Sequence, residues 1–330
     1  MAEITFLQAV NDAMSEEMRR DKSVFLMGED IGLYGGCFGA SRGMLKEFGP
    51  DRVLETPISE EGFIDAAFGA ALMGSRPIVE LMFGDFVTLA SDGMINHAAK
   101  YRFMSGGQVG APMVLRTPFG SGTGAAAQHS QSLESMFANT PGLKIIYPGT
   151  AYDAKGLLKA AIRDNDPVLF FENKLLYRTR GEVPEGDYTI EIGKADIKKS
   201  GSDVSLITYS RMLPICMAAA EQLEKEGLSV EVVDIRTIKP LDVETIAQSV
   251  KKTTRAIVVH EAPKFGGFGG EIVSSINESE AFYYLDAPVM RLGGTESPIP
   301  YSPTLEKQIV PDEPKVIAAV KKILSKGGGE

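Results

Sequence analysis

The sequence predicts an α/β fold of two domains, each built on a mainly parallel sheet. Its 330 residues exceed the about 250–300 residues at which a single hydrophobic core stops growing. From Ser23 onward, short runs rich in β-branched residues alternate with longer helical patterns, which is typical of parallel α/β sheets. The strand runs are continuously apolar, as expected for a sheet covered on both faces.

The first half supplies most of the evidence for this pattern. Its predicted strands are Ser23–Met27, Arg52–Glu55, Pro77–Met82, Pro112–Thr117, Lys144–Tyr147 and Pro167–Glu172. Its predicted helices are Glu60–Met73, Val87–Phe103 and Tyr152–Arg163.

A second alternation follows a stretch, Asn173–Ser202, in which charged residues, Gly and Pro accumulate. We therefore expect a first domain over residues 1–175, a linker over 176–202 and a smaller α/β domain over 203–330. Its predicted strands are VSLITY, SVEVVDIR, AIVVHE and VMRLGG, and its helices are Leu213–Lys225, Val243–Lys251, a helix after Gly270 and Glu313–Leu324. Residues Lys326–Glu330 are expected to fray.

Composition excludes several classes of function. The net charge of -10 opposes nucleic-acid binding, which needs a basic face. No apolar run approaches the ~20 residues that span a bilayer, and the N-terminus has no basic region followed by an apolar stretch. We therefore expect a protein of the cytoplasm. Cys37 and Cys216 have no metal-ligand or CxxC spacing, so we interpret both as small apolar residues.

His129 has the most suggestive setting of the three histidines. It follows the glycine-rich stretch PFGSGTGAAAQHSQS after a predicted strand, where parallel sheets bind ligands. A histidine satisfied by loop carbonyls fits equally well. Gly122-x-Gly124-x-x-Ala127 superficially matches the dinucleotide fingerprint, but the next strand ends without the acid that would hold a ribose.

The segment TPISEEGF has two interpretations. Ser59 fits an N-cap, with Glu60 and Glu61 in the first helical turn, where carboxylates favour the positive end of the helix dipole. Alternatively, one carboxylate meets a ligand at this strand-to-helix loop. Phe83 and Phe86 are similarly ambiguous, because rings beside a sheet belong to the core or stack on a planar cofactor.

Collinear motifs along nearly the whole chain carry a resemblance. They are GED at 28–30, ETPISEEGF at 55–63, RPIVELMFGDF at 76–86, MSGG at 104–107, AAAQHSQS at 125–132, PGLKIIYPGTAYDAKGLLKAAIRDNDPV at 141–168, DIRTIKPLD at 234–242 and LDAPVMRLGG at 285–294. Through them the chain resembles the β subunits of the decarboxylating component of 2-oxo acid dehydrogenase complexes and of acetoin dehydrogenase.

The resemblance implies a pyrimidine-type thiamin-diphosphate-binding domain with a doubly wound sheet, followed by a transketolase C-terminal-like α/β domain. In this family the α subunit holds the diphosphate through Mg²⁺ and a GDG motif, and no GDG triplet occurs here. The resemblance therefore implies an α₂β₂ heterotetramer with shared thiamin diphosphate and a lipoyl-bearing acyltransferase as the next partner.

The family's functional residues fall on definite positions. By resemblance, Glu60 contacts the aminopyrimidine and favours the imino tautomer, whose nitrogen can take a proton from the thiazolium carbon. Phe86 stacks on the same ring with Met82 beside it, and His129 assists acyl transfer to the lipoyl arm. A structural K⁺ site is implied at the backbone carbonyls of Met113, Ala161, Ile162, Asp164 and Asp166.

The family also leaves alternatives open. Glu29 and Asp92 match acids that connect two active sites in some members, but Leu89 replaces a glutamate of that path. Pyruvate is slightly favoured as substrate, and GLYGGCFGAS at 32–41 also resembles acetoin-cleaving members. A non-catalytic scaffold subunit and a self-sufficient thiamin enzyme are the competing functions.

Overall fold

A computed structural model describes residues 1–325, so the predicted frayed end at 326–330 lies outside the described residues. The chain divides into two compact units. The first unit consists of Met1–Gly120 and Met136–Ile192. The second unit consists of Ser121–Ser135 and the chain from Gly193 onward.

The first unit contains a parallel sheet. Among the described residues, the strands up to Ile192 are β1 (Ala2–Thr5), β2 (Val24–Gly28), β3 (Val53–Glu55), β4 (Arg76–Glu80), β5 (Val114–Phe119), β6 (Lys144–Ile146), β7 (Val168–Asn173) and β8 (Arg180–Val183). The sheet has the order β6-β7-β5-β4-β2-β3, and its strands are the predicted ones. β1 and β8 form a separate antiparallel ribbon.

Helices cover this sheet because their apolar faces must be buried against it. They are α1 (Phe6–Arg20), α2 (Met44–Phe48), α3 (Glu60–Leu72), α4 (Ala99–Met104) and α6 (Ala151–Arg163). The short helix α5 (Glu134–Ala138) begins in the chain segment of the second unit and ends in that of the first. Thr150 caps α6 by accepting a hydrogen bond from the Asp153 amide at 3.1 Å. Helices α3 and α6 coincide with predicted helices, whereas α1 lies outside the predicted ones.

The predicted helix Val87–Phe103 is wrong as a single helix. The structure has a 3₁₀ turn at Gly84–Thr88, a π-helical turn at Gly93–Ala98 and then α4. Gly93 packs so closely against α3 that a Cβ there would lie 2.8 Å from Ile64. The apolar pattern runs through all three turns, so periodicity alone did not reveal the breaks.

The second unit has its own sheet and core. Its strands are β9 (Asp196–Lys199), β10 (Val204–Thr208), β11 (Val230–Asp234), β12 (Thr237–Lys239), β13 (Ala256–Pro263) and β14 (Met290–Gly294), and its helices are α7 (Met212–Lys225), α8 (Val243–Thr253), α9 (Gly269–Glu278), α10 (Pro303–Ile309) and α11 (Glu313–Ser325). The sheet order is β14-β13-β10-β11-β9, parallel except for β9. β8 and β9 both lie within the charged segment Asn173–Ser202. Across the described chain, every helix is too short or too polar to cross a bilayer.

His260 on β13 has a structural environment. Its ring is fully buried, and a Cβ on Gly267, Gly269 or Gly293 would come within 2.4–2.7 Å of it. Burial, with the positive charge of Arg291 adding to it, lowers the pKa of His260 to about 4. The glycines of FGGFGG therefore make room for a neutral packed imidazole.

A buried charge cluster joins three neighbouring strands of the first unit. Arg116 of β5 donates to both carboxylate oxygens of Glu172 on β7, at 2.8 and 2.7 Å, and to Glu80 on β4 at 2.5 Å. Tyr177 donates to the same Glu172 carboxylate at 2.7 Å. Burial opposes the guanidinium charge, but Glu172 and Glu80 hold the pKa of Arg116 above its usual range. Each charge of this cluster thus has a hydrogen-bonded partner.

Replacing Arg116 with Met should strongly destabilise the first unit. The change leaves two buried carboxylates without a cation, which costs about 3–5 kcal/mol in the free energy of unfolding. Hydrogen exchange of the slowest β5 and β7 amides measures this loss. The control is Arg19→Met, which removes a 2.5 Å ion pair with the exposed Glu47 and should cost less than about 1 kcal/mol. Equal losses in the two variants would contradict the role given to burial.

Candidate active site

The carboxyl ends of β2, β3 and β4 form the edge at which several singled-out residues lie. β2 is followed by Glu29, β3 by the segment leading to Glu60, and β4 by Met82. Because these strands are adjacent and parallel, their following loops leave the same edge of the sheet. Glu60 and Met82, which were predicted to bind the cofactor, therefore follow strands of the same sheet edge, as does Glu29.

Glu60 is the first residue of α3 and is only 8% exposed. Ser59 occupies the N-cap position, but its side chain makes no capping hydrogen bond, and Glu61 in the same turn is exposed. Favourable interaction with the helix dipole does not require burial, since surface carboxylates provide it. Helix capping therefore does not account for the buried position of Glu60.

Glu29 forms an acidic pair with Glu60. It is 7% exposed, and its Oε1 has no hydrogen-bond partner among the described residues. Burial, the Glu60 carboxylate and the Asp30 carboxylate raise the pKa of Glu29 to about 7, although the amide of Ser59 opposes the shift. A carboxyl with such a pKa can take up or release a proton near neutral pH.

Met82 and Phe86 lie in the short segment that follows β4. Met82 is buried, and its sulfur accepts a hydrogen bond from the Cys37 amide at 3.0 Å. Phe86 is half-buried within the 3₁₀ turn, with its amide 2.9 Å from the Phe83 carbonyl. Phe83 packs edge-on against Phe38 at 5.5 Å. The structure therefore places Phe83 in an aromatic contact and leaves part of Phe86 accessible.

His129 belongs to the loop Ser121–Ser135, which clusters with the second unit. It is half-buried, and its amide lies 3.4 Å from the Ala126 carbonyl. Its neighbours Gln128 and Ser130 line a cavity of about 560 Å³ within the second unit. Apolar groups from Phe265, Ile299 and other residues line much of this cavity.

Sequence reasoning missed three buried carboxyls around this loop. Glu261 accepts hydrogen bonds from the amide and hydroxyl of Ser121, and Glu306 accepts from two glycine amides. Glu134 accepts from Tyr209, and burial raises its pKa to about 7 even though that hydrogen bond opposes the shift. The available signal was weak, since only Glu261 stands near the end of a predicted strand.

The five carbonyls predicted to bind K⁺ lie around the end of α6 and the start of β5. The carbonyls of Ile162 and Asp164 converge, because one nitrogen of Arg76 lies 3.0 and 2.8 Å from them. The Met113 carbonyl accepts from the Val168 amide at 3.0 Å, and that of Ala161 from the Asp164 amide at 3.2 Å. The side chain of Asp166 pairs with Arg102 and Lys144.

Two family descriptions match consecutive parts of the chain. "Transketolase, pyrimidine binding domain" matches residues 2–180, and "Transketolase, C-terminal domain" matches residues 193–316. Among solved structures, the chain is similar to a split-gene transketolase described as an inactive β4 tetramer, with a TM-score of 0.79 and 21% identity over 98% of this chain and 99% of that one. Transketolase from Leishmania mexicana has a TM-score of 0.74 and 15% identity over all of this chain and 47% of that one. These structures support the fold.

Sequence relatives are much more similar. The 2-oxoisovalerate dehydrogenase subunit beta of Bacillus subtilis is 47% identical over 98% of this chain and 99% of its own length. The pyruvate dehydrogenase E1 component subunit beta of the same organism is 46% identical with the same coverage. A mitochondrial pyruvate dehydrogenase E1 subunit beta of Oryza sativa is 47% identical over 97% of this chain and 86% of its own length.

The Glu29–Glu60 pair predicts a specific pH effect. Since the pKa of Glu29 is raised from 4.5 to about 7, its contribution to stability is complete below pH 4.5 and is lost as the pH rises through 7. Glu60→Gln removes one cause of the shift, so the pKa of Glu29 should fall and the loss of stability toward pH 8 should shrink. Carboxyl ¹³C NMR titration of the cofactor-free chain, assigned with Glu29→Gln, measures the pKa.

The matched control for this titration is Glu61→Gln, which removes an exposed carboxylate from the same helical turn. It should leave the titration of Glu29 unchanged. The same midpoint for Glu29 in the wild type and in Glu60→Gln would show that the two carboxyls do not interact.

Proposed function

The chain belongs to the β subunits of the E1 component of 2-oxo acid dehydrogenases, and on that premise we propose that it supplies the pyrimidine-side half of a thiamin diphosphate site completed by an α subunit. The single observation that carries this proposal is the burial of Glu60 beside Glu29 at the carboxyl edge of the sheet. The family is thiamin-diphosphate-dependent and its members act as enzyme subunits. The residue roles, the α₂β₂ assembly and the lipoyl acceptor are our proposals.

The residues at this edge fit an aminopyrimidine. Glu29 Oε1 and Thr56 Oγ1 are buried without hydrogen-bond partners among the described residues. Buried polar atoms of this kind are normally satisfied by protein, water or ligand. A ring with several donor and acceptor nitrogens would satisfy them, and Phe86 would supply a face for stacking.

When bound, thiamin diphosphate supplies a thiazolium carbon that acts as nucleophile and electron sink. The Glu60 carboxyl group would form a hydrogen bond with the pyrimidine ring nitrogen and exchange a proton with it. Glu29, whose pKa is raised to about 7 by burial and by Glu60, can exchange a proton at the same edge. Met82 and Phe86 would orient the pyrimidine ring and exclude water from it, and His129 would deliver a proton to the acyl acceptor.

An α subunit would complete the site and hold Mg²⁺ with the diphosphate. Large apolar side chains flank the two acids of the pair. Leu33, four residues after Glu29, is 90% exposed, and Ile58, two residues before Glu60, is 82% exposed. Exposed apolar groups beside a binding edge are typical of a protein interface. These side chains support a partner chain at the edge where the cofactor would bind. We also propose a cytoplasmic location, in which the two cysteines stay reduced.

The proposed substrate is a 2-oxo acid. Pyruvate and 2-oxoisovalerate are equal candidates, because the names of the relatives contain them. Acetoin cleavage stays an alternative prediction from the sequence. A non-catalytic scaffold would not require Glu60 to be buried without a cap interaction. A self-sufficient thiamin enzyme would have to supply the diphosphate site from this chain alone.

The test uses this chain co-expressed with an α subunit of this family, with thiamin diphosphate and Mg²⁺. Pyruvate, 2-oxoisovalerate and acetoin are assayed in turn, first with an artificial electron acceptor and then with a lipoyl domain. Glu60→Gln should lose about 10²–10⁴-fold in both assays, because both need proton transfer at the cofactor. His129→Ala should lose only transfer to the lipoyl domain.

Glu61→Gln is the matched control and should keep wild-type turnover, because Glu61 is exposed in the same turn as Glu60. Wild-type turnover by Glu60→Gln would favour the scaffold. Turnover by this chain without an α subunit would favour the self-sufficient enzyme.

We also propose a structural K⁺ at the five predicted carbonyls. Arg76 already donates to Ile162 and Asp164, so their carbonyls face one cationic position. Each carbonyl oxygen has two lone pairs and can accept from Arg76 and contact a cation as well. K⁺, which is weakly hydrated, suits such neutral oxygens.

Replacing LiCl with KCl at equal ionic strength should therefore raise the midpoint of thermal unfolding, because a cation bound only by the folded state stabilises it. The midpoint should increase with KCl concentration at constant total salt. Equal midpoints in KCl and LiCl would mean that Arg76 is the sole cation these carbonyls need.

A further inference from the structure

The loop Ser121–Ser135 that carries His129 cannot fix its own conformation. Gly122, Gly124 and Ala126 all have positive φ angles, of 103°, 69° and 61°. Glycine is permissive in this region and loses more conformational freedom on folding than any other residue. A defined position for His129 therefore requires restraints from outside the loop.

One restraint holds the start of the loop through Glu306 of α10. Its carboxylate is 3% exposed and accepts hydrogen bonds from the amides of Gly122 at 2.6 Å and Gly124 at 3.1 Å. Amide hydrogen bonds to a buried carboxylate are short and stronger than neutral ones. Glu306 thus fixes two positive-φ glycines, separated by one residue, by their backbones.

Glu261 of β13 reinforces the same end. It accepts from the Ser121 amide at 2.7 Å and the Ser121 hydroxyl at 2.9 Å. Arg211 approaches the same carboxylate at 3.1 Å and donates to the Ser121 carbonyl at 3.0 Å. Both backbone groups of Ser121 are therefore held by side chains of the second unit.

A second restraint holds the end of the loop. Tyr209 donates to Glu134 at 2.7 Å, and the Glu134 side chain is completely buried. His129 lies five residues after Gly124 and five residues before Glu134. The residues on either side of it, Gln128 and Ser130, form part of the cavity wall. The loop is held at both ends with the histidine in the middle.

We infer that Glu306 and Tyr209 are positioning residues that set the location of His129 for transfer to the acyl acceptor. The inference rests on the role proposed for His129. The two side chains act through the loop backbone and through Glu134, without contacting substrate or cofactor. Loss of either restraint lets the loop shift, and a displacement of about 1 Å lowers a positioned proton transfer by up to about 10²-fold.

The test uses the complex with the α subunit, thiamin diphosphate, Mg²⁺ and the best substrate. Glu306→Gln and Tyr209→Phe should each reduce lipoyl-domain acylation by roughly 10–100-fold, while turnover with the artificial acceptor stays within about twofold of wild type. Amide exchange of Gly122 and Gly124 should quicken in Glu306→Gln. In a His129→Ala background, neither change should reduce acylation further. Glu271→Gln, an exposed carboxylate of α9, is the matched control and should match wild type.

Four results would overturn the inference. If Glu306→Gln and Tyr209→Phe both acylate the lipoyl domain at the wild-type rate while His129→Ala is slow, the positioning role is wrong and the role of His129 stands. Equal losses in both assays, or additive losses in the His129→Ala background, would show a general structural role. Wild-type acylation by His129→Ala overturns the role proposed for His129 and this inference with it. Wild-type turnover by Glu60→Gln overturns the proposed active site itself.

Discussion

The buried guanidinium of Arg116 is the interaction on which the binding edge depends. It joins Glu80 of β4 and Glu172 of β7 across the middle strand β5, just before the carboxyl ends of these strands. The other Glu80 oxygen lies so close to Gly36 that a Cβ there would be 2.3 Å away. One charge cluster thus links three neighbouring strands near their carboxyl ends and packs against the loop that follows β2. Met82 and Phe86 follow Glu80 by two and six residues, so the position of Glu80 at the end of β4 restricts where they lie.

Buried carboxyl groups have different surroundings in the two units. At the edge of the first unit, Glu29 and Glu60 are both buried, Glu29 Oε1 has no hydrogen-bond partner among the described residues, and the Glu60 carboxylate contributes to the raised pKa of Glu29. In the second unit, Glu261 and Glu306 are fully engaged with loop amides and hold a backbone in place. Carboxylates that accept hydrogen bonds from the loop backbone thus have a structural role in the second unit.

Local patterns predicted most of the fold because parallel strands buried on both faces have a strong apolar signal. They failed at Val87–Phe103, where the apolar pattern continues through turns of different pitch. Local patterns also could not predict that Ser121–Ser135 belongs to the second unit. Its partners Glu261 and Glu306 lie 140 and 184 residues away in the chain, and no local pattern encodes contacts at that distance. For the proposed site, the family motifs predicted Glu60, Phe86 and His129, whereas the local pattern around Glu60 fitted helix capping and ligand binding alike and could not show that Glu60 is buried.

We propose that this chain holds only the pyrimidine side of a cofactor site shared with an α subunit. Thiamin diphosphate and Mg²⁺ can be titrated calorimetrically into this chain alone, into the α subunit alone and into their complex. A shared site should bind tightly in the complex and more weakly in either chain alone, and it should lose affinity when Phe86 of the complex is replaced by Ala. Tight binding by this chain in the absence of the α subunit, or affinity of the complex that is indifferent to Phe86, would contradict it.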